Sequence, residues 1–87
     1  MENPQSTREE FIRSNRTNIG MEICKYRLKK NYSQAVLADL MGISRATISK
    51  IENGKFSISV DYLAKFAWHL DFDISLSDKT LLNPIDY

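Results

Sequence analysis

The chain of 87 residues has one cysteine, Cys24, so it can close no internal disulfide, and a reducing cytoplasm is its natural home. It has no apolar run of the roughly 18 residues needed to span a bilayer, so no membrane partner is expected. Its N-terminus, MENPQSTREE, has no apolar stretch of the kind an export signal needs. His69 is the one histidine, with no cysteine or second histidine at ligand spacing, which argues against a metal site. There is no glycine-rich loop to cradle a phosphate, and no pair of carboxylates stands with a nucleophile or base. These gaps argue against an enzyme and against a cofactor. A strong net charge is also missing: the formal charge is +1 and the pI about 7.8, which is low for a nucleic-acid-binding domain and argues against tight non-specific binding.

What is present is an ordinary globular composition, 43% apolar and 26% charged. The length allows one small domain with a marginal core, which packing against a second copy would help. The low net charge hides a gradient. Residues 1–21 balance three arginines against three acids, residues 22–55 carry seven basic against three acidic residues (net +4), and residues 56–87 carry two against five (net −3). The positive charge therefore gathers in the middle of the chain, where phosphates would be met.

That middle holds the most informative stretch, residues 33–55, SQAVLADLMGISRATISKIENGK. Ser33 is a good N-cap, and Leu37, Ala38, Leu40 and Met41 give an apolar side at helical spacing. Gly42 stands where a helix end often needs positive φ, and Ile43 tucks under the turn. Ser44 is a second N-cap, and Ile48 and Ile51 face inward from a second helix that ends at Asn53-Gly54. The outward face of that helix carries Arg45, Ala46, Thr47, Ser49, Lys50 and Asn53. These side chains are short or basic and rich in hydrogen-bond donors. They suit a DNA major groove, where base edges offer acceptors and thymine a methyl group, with phosphates on both sides.

The stretch resembles the helix-turn-helix of the Cro/C1 repressor family, the Xre-like group. The matching residues are Ser33-Gln34, Leu37-Ala38, Gly42, Ser44, Ile48-Ser49, Ile51-Glu52 and Gly54-Lys55, extended by Arg27 on one side and by Ser59, Leu63, Ala67 and Leu70 on the other. The resemblance covers roughly residues 19–70. It implies a mainly α, lambda-repressor-like bundle of four to five helices. It also implies that Arg27 and Glu52 form a structural salt bridge, whose breakage would cost about 3 kcal/mol. Gln34 falls at a family position that touches a DNA phosphate and braces the first exposed residue of the next helix. The expected DNA-binding set is Gln34, Ser44, Arg45, Ala46, Thr47, Ser49, Lys50, Asn53 and Lys55. Arg45 has the reach for two bonds to a guanine, worth about 1–3 kcal/mol of discrimination. Lys50, Asn53 and Lys55 are expected on phosphates, and Thr47 and Ser49 either read bases or line the groove.

Around this centre, Thr7-Arg8-Glu9-Glu10 fits a capping box for a short helix over about 8–15. Asn15, Asn18 and Gly20 argue against one uninterrupted helix to Lys30. Ile19, Ile23 and Tyr26 share a side of the next helix. The extension over residues 1–18 is expected to cover the core; alternatively it touches DNA through Arg13 and Arg16, or meets a partner. Ser59 caps a further helix with Leu63, Phe66, Ala67 and Leu70 as its core face, and Trp68 is expected to pack beside that stripe. Asp71 then stands where the family usually has glycine.

Phe72, Ile74 and Leu76 alternate with Asp71, Asp73, Ser75 and Ser77, the period of a half-buried strand over 71–77. A lone strand lacks partners for its backbone, so the expectation is a homodimer in which Phe72, Ile74 and Leu76 form a shared antiparallel sheet. This is similar to the HipB-type antitoxin branch of the family. Residues 78–87 are expected to be a flexible tail. Two functions follow. One is a sequence-specific regulator, a repressor that binds a palindromic operator in double-stranded DNA. The other is an antitoxin that holds a partner toxin and autoregulates its operon.

Overall fold

Serines start three of the four helices. In the computed structural model, which describes residues 4–77, the order is α1 (Pro4–Lys29), α2 (Gln34–Met41), α3 (Arg45–Glu52) and α4 (Val60–Leu70). Ser33, Ser44 and Ser59 precede α2, α3 and α4 in extended backbone. Their hydroxyls accept from the amides of Val36 at 3.0 Å, Thr47 at 3.1 Å and Tyr62 at 3.1 Å. Each such cap is worth about 1 kcal/mol. All four helices also end alike. Asn31, Gly42, Gly54 and Asp71 adopt positive φ. The next amide then returns to a carbonyl of the last turn: Tyr32 to Arg27, Ile43 to Ala38, Lys55 to Lys50 and Phe72 to Ala67, at 2.8–3.2 Å. Asp71 thus takes the turn that a glycine would have taken more easily.

The expected break within the N-terminal region does not occur. α1 runs without interruption through Asn15, Asn18 and Gly20, and it already includes residues ahead of the expected cap at Thr7. Gly20 is buried for a packing reason: a Cβ there would lie 2.3 Å from the carbonyl oxygen of Ile51 and 2.9 Å from that of Glu52. The absence of a side chain lets α1 lie against the last turn of α3. One turn earlier, Thr17 meets Gly54, whose added Cβ would stand 2.9 Å from the Thr17 Cα. Gly20 therefore marks the closest approach of two helices, a use of glycine that outweighs its lower helix propensity.

The core joins Ile23 of α1, Leu37 and Ala38 of α2, Ile48 and Ile51 of α3, and Phe66 and Leu70 of α4. Ile19, Tyr26, Met41, Ile43 and Leu63 pack around it. Two apolar side chains depart from expectation. Leu40 lies on the outer side of α2, and Trp68 is 80% exposed, outside the core stripe it follows in sequence.

Residues 72–77 adopt no regular secondary structure, and no strand occurs among the described residues. The alternation of this segment finds no strand partner among the described residues. Phe72 instead stacks on Tyr26 of α1, with ring centroids 5.0 Å apart, while Ile74 and Leu76 are exposed. The tail expected over 78–87 lies outside the described residues.

Candidate nucleic-acid interface

α3 divides cleanly into two sides. Ile48 and Ile51 are buried, whereas Arg45, Ala46 and Lys50 are exposed, as are Ser44 just before the helix and Asn53 and Lys55 just after it. Thr47 and Ser49 are half-buried at the edges. The Thr47 hydroxyl lies 2.8 Å from that of Ser44, and the Asn53 amide donates to the Ser49 carbonyl at 2.8 Å. Those two polar groups are already held by their own helix. The freely projecting side chains are Arg45, Lys50 and Lys55, spread along one outward surface.

Behind that surface lies a polar cluster that fixes the angle between helices. Arg27 of α1 is buried and donates through Nε to Glu52 Oε2 at 2.6 Å and through Nη2 to Oε1 at 3.1 Å. Its Nη1 donates to the carbonyl of Tyr32 at 2.8 Å. Gln34 donates from Nε2 to Glu52 Oε1 at 3.0 Å. Gln34 is thus held by Glu52 at the end of α3. The cluster ties α1, the α1–α2 turn, α2 and the C-terminal end of α3 together. Among the described residues, no buried side-chain nitrogen or oxygen lacks a partner.

The electrostatics follow from this packing. Burial pushes the Glu52 carboxyl up, but hydrogen bonds from Arg27 and Gln34 and the charge of Arg27 outweigh it and hold the group below its ordinary value. The bond to Glu52 raises Arg27 against the opposing effect of burial. Burial, and after it the nearby Glu52, push the Cys24 thiol up, so Cys24 stays protonated beside the cluster. Lys30, in the turn after α1, pairs with Asp71 after α4, and that bond raises its pKa. This lysine is therefore engaged within the chain, while Lys29 beside it is exposed. Sequence reasoning missed the packing role of Gly20 and the positive φ of Asn31, while Asp71 was marked only as standing at a usual glycine position. Their positive φ, or their closeness to a distant backbone, has no local signature apart from the residue types themselves.

Two short helices joined by a tight left-handed turn, with the second presenting a donor-rich face, define a helix-turn-helix DNA-binding protein. The chain belongs to the Cro/C1-type helix-turn-helix family, whose model, described as helix-turn-helix, matches residues 23–76. That membership makes it a DNA-binding transcription regulator. Comparison with curated proteins and with solved structures gives no match. No described helix is long and apolar enough to cross a membrane.

Proposed function

We propose that the chain is a sequence-specific repressor that binds a palindromic operator as a homodimer, with α3 in the major groove. The observation that carries this reading is the two-sided α3: its apolar side chains are buried, and Arg45, Ala46 and Lys50 project outward together. Arg45, Ala46, Thr47 and Ser49 face the bases. Ser44, Lys50, Asn53, Lys55 and Gln34 border the phosphates, Gln34 while held by Glu52. Two copies place their α3 helices about 34 Å apart, in successive major grooves. Exposed Ile74 and Leu76 are the side chains through which the C-terminal segments pair, with Phe72 anchoring each segment to its own α1.

Selection of bound sites from a random duplex library at two salt concentrations tests the reading. The expected product is an imperfect palindrome with half-sites about one turn apart, bound less tightly at the higher salt. Arg45→Ala is expected to relax the preference at one position of each half-site, at a cost of about 1–3 kcal/mol. An unchanged preference would remove Arg45 from the reading set.

One observation favours a second reading, an antitoxin that also holds a partner toxin. Trp68 is 80% exposed and lines a surface hollow with Phe72 and Asp73. Large exposed aromatic side chains anchor protein interfaces. Co-purification of the untagged chain with the product of its neighbouring gene would support this reading, and its absence under native expression would count against it.

A further inference from the structure

α1 extends well before residue 23, where the family match begins. The face it turns toward α3 is defined by two contacts: Gly20 against the Ile51 and Glu52 carbonyls, and Thr17 against Gly54. Continuing that face toward the N-terminus at helical spacing brings Arg16, four residues before Gly20, and Arg13, four before Thr17. Both are exposed. Arg16 lines a surface hollow together with Ser57 and Ile58 of the loop after α3. That loop also carries Lys55, immediately after the Gly54 that Thr17 touches. Helical rise puts Arg13 only about 6 Å beyond Thr17 along the axis. Arg16 therefore stands beside the loop that carries Lys55, with Arg13 about one turn farther out on the same helix. Residues 1–21 are neutral in total; Glu9 and Glu10, four and three residues before Arg13, both stand at the outer end of this face.

We propose that Arg13 and Arg16 form a second, sequence-independent phosphate-binding surface on α1, continuous with Lys55 and extending the DNA footprint past the helix-turn-helix. The proposal rests on the DNA-binding reading of α3. The ligand is the duplex backbone, met as successive phosphates along one strand. Glu9 and Glu10 mark the outer limit of this surface, because their carboxylates would repel the next phosphate.

The test titrates the full chain and the double variant Arg13→Gln/Arg16→Gln onto the selected duplex across a salt series. The variant is expected to bind about tenfold more weakly near physiological salt. The slope of log affinity against log salt should fall by about two, with the preferred sequence unchanged. Glu9→Gln is expected to shift affinity the opposite way. Equal affinity and equal slope for parent and double variant would overturn the proposal, as would a change in sequence preference at constant slope. Failure of the DNA reading itself looks different: Arg45→Ala and Lys55→Gln would then leave binding as unaltered as the arginine pair does.

Discussion

Among the described residues, two ion pairs each tie a residue near the end of α1 to a distant element, and they differ in nearly everything but charge. Arg27–Glu52 has side chains only 10% and 6% exposed, joins two planar groups through two bonds, and takes in Gln34 and the Tyr32 carbonyl as further partners. Lys30–Asp71 is a single contact between a flexible ammonium and a carboxylate that is 70% exposed. The first pair cannot lose a member without leaving a charge in a dry place. The second can exchange its partner for water. Sequence distance and charge type do not separate the two; burial and the number of additional bonds do.

The largest expected effect comes from removing half of the inner pair. Arg27→Ala should destabilise the fold by about 3–5 kcal/mol in urea unfolding, because Glu52, Gln34 and the Tyr32 carbonyl all lose their arrangement. Replacing both members, Arg27→Met with Glu52→Leu, should be milder than either single loss, and a double-mutant cycle measures the difference. Next is the seam that the pair closes. Gly20→Ala would push a methyl group against the carbonyls of Ile51 and Glu52, and thermal unfolding should show a loss of about 1–3 kcal/mol.

The acid response sharpens the comparison further. The Glu52 carboxyl is held below its unfolded value, so its contribution is complete above the unfolded pKa and is lost as pH falls through the lower folded one. Stability measured against pH should therefore decline in that acid range, and Glu52→Gln should flatten the decline. At the small end, Lys30→Gln should leave the unfolding midpoint unchanged at moderate salt, since solvent screens its partner. Asp71→Gly should leave the midpoint unchanged or raise it, because glycine adopts the φ of 60° at that turn without strain.

What the sequence made legible was local. Ser33, Ser44 and Ser59 could be placed as caps because a hydroxyl three residues ahead of an amide is a short-range relation. Gly42 was legible for the same reason, and so was the apolar spacing of Ile48 and Ile51 on one side of α3. Gly20 was misread as a break, because propensity is a local quantity, while its reason for being there is a carbonyl 31 residues further along the chain. The bond of Gln34 to Glu52 was not legible for a similar reason. A side-chain amide chooses among acceptors within a few ångströms, and which carboxylate arrives there depends on how α1 and α3 dock. The exposure of Trp68, by contrast, follows from helical spacing: it stands two residues from both Phe66 and Leu70, about 200° round α4 from that buried stripe. The period of two over 71–77 is real in the sequence, but a ladder needs a second strand, and one chain has none among the described residues.

The separation of α3 into an anchoring side and an outward side has a consequence for how this protein can change over time. Ile48, Ile51 and Glu52 hold the helix in place, while Arg45, Ala46 and Lys50 hold nothing. Those three outward positions can therefore be substituted at almost no cost to folding, and under the DNA-binding reading proposed above such substitutions would change the preferred site while leaving the fold intact. Arg45, Ala46 and Lys50 stand apart in this from Ser44, which caps α3, and Gln34, which bonds to Glu52, since those two proposed DNA contacts also serve the fold.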